Sequence, residues 1–173
     1  GHINRTYCAV FNTANGKKRY ILQKINSKLF TNVEGLMNNI KLVTEFNRAE
    51  IEKRGGDPLR ESLTLVYTHN GKAYHKTEDD EYYRVYVFIE DALGYDVVEK
   101  PEHFYESAVA FGKFAQLLDR FDNTKLFEVL PNFHNTVMRF ENFKKALAAD
   151  KLNRAKDVKA EIDFALSQEK YVS

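Results

Sequence analysis

The residues best placed to do chemistry come at the start of the chain. Gly1-His2-Ile3-Asn4-x-Thr6 is a small turn residue running directly into strand-like sequence. A turn of this kind folds its backbone N–H groups over anionic oxygens, which makes it a candidate cover for phosphates. A second candidate is His134-Asn135-Thr136, which has the outline of a His-x-Asp loop but carries no Asp. We read His134 as a packing residue. His69, His75 and His103 fall in turns or at a helix start, where side chains are expected to be solvated. Searches for other chemistry come up empty: the chain has no His-Glu-x-x-His, no Gly-x-Ser-x-Gly and no Cys-x-x-Cys. Sulfatase chemistry needs Cys or Ser in a Cys/Ser-x-Pro-x-Arg setting, and Cys8-Ala9-Val10-Phe11 does not supply it.

The elements that must position these residues divide into a sheet half and a helical half. Arg5–Phe11 reads as a strand, Asn15-Gly16 as a hairpin turn within Asn12–Lys18, and Arg19–Ile25 as the partner strand. Thr31 and Glu34 have the spacing of a capping box. They open a long helix with Val33, Leu36, Met37, Ile40 and Val43 at helical spacing, ended by Gly55-Gly56. Leu63–Thr68 reads as the next strand, turned by Asn70-Gly71 into Lys72–Lys76. Glu78–Glu81 reads as a solvated turn.

Tyr82–Glu90 is the strand on which the rest is organised. Tyr83, Val85, Val87 and Ile89 form one alternating set and Tyr82, Tyr86 and Phe88 the other, so both faces carry bulk. That pattern predicts a central strand covered on both sides. We expect Val85 and Val87 to be buried with Ile40 and Val43. Beyond Asp91–Lys100, Pro101 suits the first turn of a long helix. Phe104, Ala108, Phe111, Ala115 and Leu118 give that helix one apolar face. Phe114, Leu117 and Phe121 widen it until most of its girth is expected to be buried. Two shorter amphipathic helices follow, marked by Phe140, Phe143 and Leu147 and by Leu152 through Leu166. The expected class is α+β, as two lobes with a cleft at the join or as a single domain. As two lobes the boundaries are 1–90, a joint at 91–100, and 101–173.

Composition narrows the partners. At 173 residues with 43% apolar and 13% aromatic content, the chain can build a real core. Lys plus Arg is 26 against 25 for Asp plus Glu, so there is no basic surplus pointing to nucleic acid or an anionic membrane. Cys8 is the single cysteine, which excludes an internal disulfide and fits a reducing, cytoplasmic setting. No apolar run of transmembrane length occurs.

Several spaced segments together resemble the N-acetylhexosamine 1-kinases, within the aminoglycoside phosphotransferase-like branch of the kinase fold. They are Gly1–Tyr7, Arg19–Asn26, Leu36–Thr44, Tyr82–Glu90 and Phe133–Phe143. The resemblance implies a protein-kinase-like nucleotide lobe of antiparallel sheet plus one long helix, followed by the first helices of a helical substrate lobe. It implies ATP and Mg²⁺ as cofactors, and phosphorylation of a small sugar at its anomeric hydroxyl. Gly1, His2, Ile3, Asn4 and Thr6 would cover the phosphates. Glu90, Asp91 and Ala92 would form a hinge whose backbone meets adenine, and Tyr86 and Phe88 would shape the pocket wall.

In that family the third strand carries a phosphate-contacting Lys. Gln23 stands in its place here and Lys24 follows on the opposite face of a regular strand, so either one remains a candidate. The acidic partner on the long helix is also open among Glu34, Glu45 and Glu50. Such kinases need an Asp to accept the hydroxyl proton, with an Asn and a second Asp for magnesium. No segment between Pro101 and Ser173 supplies that set. The chain therefore reads as roughly the first half of such a kinase, cut at both ends, inactive alone and prone to self-association. The alternatives are a non-catalytic nucleotide-binding or interaction module of the same fold, and a phosphotransferase for an aminoglycoside, homoserine or choline type of substrate.

Overall fold

The computed structural model describes residues 3–172. Gly1 and His2, the start of the expected phosphate-covering turn, lie outside them. The first two strands, β1 (Arg5–Thr13) and β2 (Gly16–Lys24), form a hairpin whose antiparallel register runs from Thr13 opposite Gly16 to Arg5 opposite Lys24. Gly16 has a φ of 103°, a conformation that favours glycine and sets the tight turn. After the hairpin come helices α1 (Val33–Lys53) and α2 (Pro58–Glu61). The short strands β3 (Leu65–Val66) and β4 (His75–Lys76) and the strand β5 (Tyr82–Val87) complete the sheet.

Strand β5 is central, as expected. It pairs antiparallel with β2 on one edge and with both β3 and β4 on the other. The chain is thus α+β with an antiparallel sheet. The Leu63–Thr68 strand is shorter than expected. The turn into Lys72 does close, the Thr68 N–H donating to the Lys72 carbonyl and the Lys72 N–H to the Thr68 hydroxyl, each at 2.9 Å. His75–Lys76 then pairs with β5 instead of continuing along β3. Strand β5 ends at Val87, short of Glu90, and Asp91 then adopts a φ of 54° and bends the chain.

The core forms where α1 covers one face of the sheet. Ile25, Val33, Met37, Leu65, Ala73 and Tyr86 are buried together, with Ile21, Ile40 and Tyr82 packed against them. This reverses the expected facing of β5. Tyr86, not Val85 and Val87, points at the helix, and only 5% of it is exposed. The neighbouring strand explains the choice. Residues directly opposite in a ladder share a face. Tyr86 lies opposite apolar Ile21, while Tyr83 lies opposite Lys24, whose ammonium pairs with Glu81. Ile21 and Tyr86 join the buried cluster together, and Lys24 keeps its ammonium with Glu81 on the other face.

The capping box is also corrected. Asn32, not Thr31, caps α1, its Oδ1 accepting from the Gly35 N–H at 2.7 Å. Starting the helix one residue later leaves Glu34 out of reach of the box, and it accepts from the Tyr74 hydroxyl at 2.9 Å.

The chain divides into two compact units, Gly1–Val129 and Leu130–Ser173. The last α-helix of the first is α3 (Pro101–Leu117), which carries Pro at its first turn as expected. It is not buried on most of its girth: Phe104 and Phe111 are exposed, and Leu117 is half-buried. The apolar residues spread around the whole helix, so one covered flank leaves the rest in solvent. The second unit holds α4 (Thr136–Ala149) and α5 (Lys159–Ser167). Asn135 caps α4 by accepting from the Met138 N–H at 2.8 Å. Lys144 ties the helix to the segment after α5 through Glu169, at 2.9 Å.

Candidate functional site

Three side chains cross the α1 face of the sheet in one line. Thr6 on β1, Gln23 on β2 and Arg84 on β5 are successive ladder partners, so their side chains project to the same side. Gln23 Nε2 donates to Thr6 Oγ1 at 3.0 Å, and Arg84 Nε donates to Gln23 Oε1 at 3.0 Å. The amide of Gln23 thus has its oxygen and one of its two N–H donors engaged. Lys24 lies on the other face with Glu81, as strand alternation requires. Bonds from Lys24 and from the Tyr83 hydroxyl hold the Glu81 carboxyl below its ordinary range.

A second group closes the end of β5. Arg19 grips Glu90 with two nitrogens, Nε donating to Oε1 at 3.1 Å and Nη2 to Oε2. Its guanidinium carbon stands 4.1 Å from the Phe88 ring centroid. The bond from Arg19 keeps the Glu90 carboxyl below its usual range. Arg60 Nη1 donates to the Glu90 carbonyl oxygen. A carbonyl has two lone pairs, so this one bond does not exhaust the accepting capacity of the Glu90 oxygen. Asp91 and Ala92 are exposed beside it.

Bordered by α1, by Arg84 and Tyr86 of β5 and by residues 61–63 lies a cavity of about 530 Å³. Its apolar wall includes Val43, Leu63, Tyr86, Phe114 and Leu126, and Arg84 and Asn47 supply polar groups. The Leu126 wall is fastened by Asn39, whose side chain both donates to the Phe127 carbonyl at 2.7 Å and accepts from its N–H at 2.9 Å. Gly35 lets that segment approach, since a Cβ there would stand 2.6 Å from the Phe127 ring. Asn47 is 4% exposed, and its Oδ1 has no hydrogen-bond partner among the described residues.

Of the residues singled out from sequence, Thr6, Gln23, Tyr86 and Phe88 share the α1 face of the sheet, with Glu90 at its end. Asn4 is near by along the chain, its Oδ1 accepting from the Asn26 N–H at 3.0 Å. Ile3 is exposed and lines a separate polar hollow with Lys24 and Asp80. None of the acids considered on α1 meets Gln23: Glu45 binds Tyr67 and Glu50 binds Lys53. His103 is half-buried, not solvated, with its ring centroid 4.4 Å from that of Tyr95. His134 is exposed and stacks edge-on against Phe133.

Sequence reasoning missed Arg19, Arg60, Arg84 and Asn47. Arg84 had a readable signal, a charge in the alternating set Tyr82, Tyr86, Phe88 that is otherwise aromatic. Among the described residues no group of three or more His, Cys, Asp or Glu is placed to hold a metal ion, and no helix is long and apolar enough to cross a membrane. No family model matches the chain.

Proposed function

We propose that this chain is the nucleotide-binding part of an ATP-dependent small-molecule kinase, with an N-acetylhexosamine as the substrate the sequence resemblance favours. The supporting observation is the order of elements. One long helix is inserted between β2 and β3 and lies on one face of an antiparallel sheet, and the central strand β5 ends in a bent, exposed segment at Asp91-Ala92. In a kinase-like lobe this order sets a phosphate-facing strand beside the helix and a backbone edge for adenine. Gln23 holds the phosphate-facing position on β2, and the Glu90 carbonyl offers its second lone pair at the edge.

Phosphoryl transfer depends on in-line placement by an acid–base Asp and magnesium ligands, which the chain does not supply. The expected outcome is saturable binding of Mg·ATP by calorimetry, without ADP formation when N-acetylglucosamine or N-acetylgalactosamine is added. Absence of ATP binding removes the nucleotide reading. Turnover at an ordinary kinase rate removes the claim that the chain alone is inactive. ATP binding without any sugar dependence in a longer chain favours the non-catalytic module.

A further inference from the structure

The cavity between α1, β5 and residues 61–63 holds two polar groups whose bonding is incomplete. Arg84 uses Nε on Gln23, and its Nη1 meets only the weak acceptor Met37 Sδ at 3.8 Å. Its guanidinium carbon lies 5.3 Å from the Tyr86 ring centroid. Among the described residues no carboxylate pairs with it. Withdrawal from water lowers its pKa, and the one charge effect opposing this comes from Tyr86, not from an acid. Glu61, which also lines the cavity, is committed elsewhere: one oxygen binds Arg54 and the other accepts from the Asp57 N–H. Asn47 Oδ1 is the second incomplete group, a buried acceptor with no donor among the described residues.

A desolvated cation without an anion and a buried acceptor without a donor are both unfavourable. One ligand can relieve both. It must bring an anionic acceptor to Arg84, a neighbouring N–H or O–H to Asn47, and an apolar body to the wall of Val43, Leu63, Phe114 and Leu126. The cavity volume lies in the ordinary range for small-molecule sites, and an apolar lining with a few placed polar groups is their usual make-up. A triphosphate fits poorly, because a single cation in an apolar lining cannot offset several negative charges.

We propose that this cavity binds a small carboxylate bearing an adjacent hydroxyl or amino group and an apolar side chain. The carboxylate accepts from the Arg84 terminal nitrogens, the adjacent group donates to Asn47 Oδ1, and the side chain fills the apolar wall. The site borders the proposed nucleotide contacts, since Tyr86 lines it and Arg84 touches Gln23, but the phosphate-covering residues and the Glu90 carbonyl lie outside its lining.

Ligand-observed NMR and calorimetry on the full chain test it with L-phenyllactate, with 3-phenylpropanoate, which lacks the hydroxyl, and with the neutral amide of phenyllactate. L-phenyllactate should bind saturably and remain bound under saturating Mg·ATP. Each of the two analogues should bind about tenfold or more weakly, the usual cost of leaving one buried polar group unpaired. Arg84→Gln should erase the preference for carboxylate over amide. Asn47→Ala should erase the preference for hydroxyl over hydrogen. Circular dichroism checks that each variant folds, and Arg84→Lys, which keeps the charge, should retain part of the carboxylate preference. If Arg84→Gln fails to fold, Leu63→Trp, placed at an exposed edge of the cavity, should weaken all three ligands together. The proposal is overturned if L-phenyllactate shows no saturable binding, if folded Arg84→Gln keeps the preference, or if Mg·ATP displaces the ligand. Loss of ATP binding with phenyllactate binding intact would sink only the nucleotide reading.

Discussion

Tyr67 shows how burial and one hydrogen bond together set a titration. Its hydroxyl donates to Glu45 Oε1 at 2.7 Å, and burial, followed by that bond, pushes the phenol up to about 12. Ionising it would place a phenolate against a carboxylate and forfeit the donor. A raised phenol pKa means that the folded chain holds its proton more tightly than the unfolded one. The associated stability is present in full below the ordinary tyrosine pKa of about 10, and is lost as pH rises through about 12. Tyr67→Phe should therefore remove one late-titrating phenol from the tyrosinate absorbance curve and flatten the alkaline fall in stability. An unchanged high-pH limb in the variant would show that the bond to Glu45 does not form in solution. At this scale sequence reading reached Gln23 and its opposition to Lys24, because strand alternation is a local rule. It could not reach the pairing of Gln23 with Arg84 or the isolation of Asn47. Those depend on which strands become neighbours and on where α1 lies across them.

At the scale of elements, the existence of β5 was legible and its facing was not. Both alternating sets are bulky, so periodicity alone gave no preference, and Tyr86 faces the core together with Ile21, its partner on the adjoining strand. The consequence is measurable. Tyr86→Ala removes a buried aromatic from the cluster of Ile25, Met37 and Leu65 and should cost ~3–5 kcal/mol. Val85→Ala, on the half-buried face, should cost clearly less. Denaturation midpoints that fall equally for the two, or further for Val85→Ala, would restore the original facing. The cap of α1 is a second case. Asn32→Ala should lose about 1 kcal/mol, because the Gly35 N–H goes unpaired. Thr31→Ala should fall within ~0.5 kcal/mol of wild type, the usual range for an exposed side chain that makes no such bond. The sequence motif had the right chemistry one residue too early, since Thr31 and Asn32 are both good caps and only the course of the incoming chain separates them.

For the whole chain, the unpaired surfaces decide how it behaves in solution. Strand β1 lies at the edge of the sheet beside β2, and Tyr7, Val10 and Phe11 on it are each more than half exposed. An edge strand with exposed apolar side chains and free backbone groups is a template for pairing with another chain. Helix α3 adds a second apolar surface, with Phe104 67% and Phe111 74% exposed. Scattered apolar exposure is ordinary, but large aromatic side chains one or two turns apart on one helix make a patch. The net charge of +1 gives little repulsion to keep copies apart. We therefore predict concentration-dependent self-association in sedimentation velocity. The two surfaces can be separated by substitution. Val10→Lys with Phe11→Lys puts charge on the edge strand, a device that blunts edge pairing. Phe104→Glu with Phe111→Glu does the same for the helix. Because all four positions are exposed, neither pair should lower the thermal midpoint much. If association runs through the strand, the lysine pair alone restores the monomer; if it runs through the helix, the glutamate pair does. A wild-type chain that sediments as a monomer at every concentration would show that neither surface recruits a second copy.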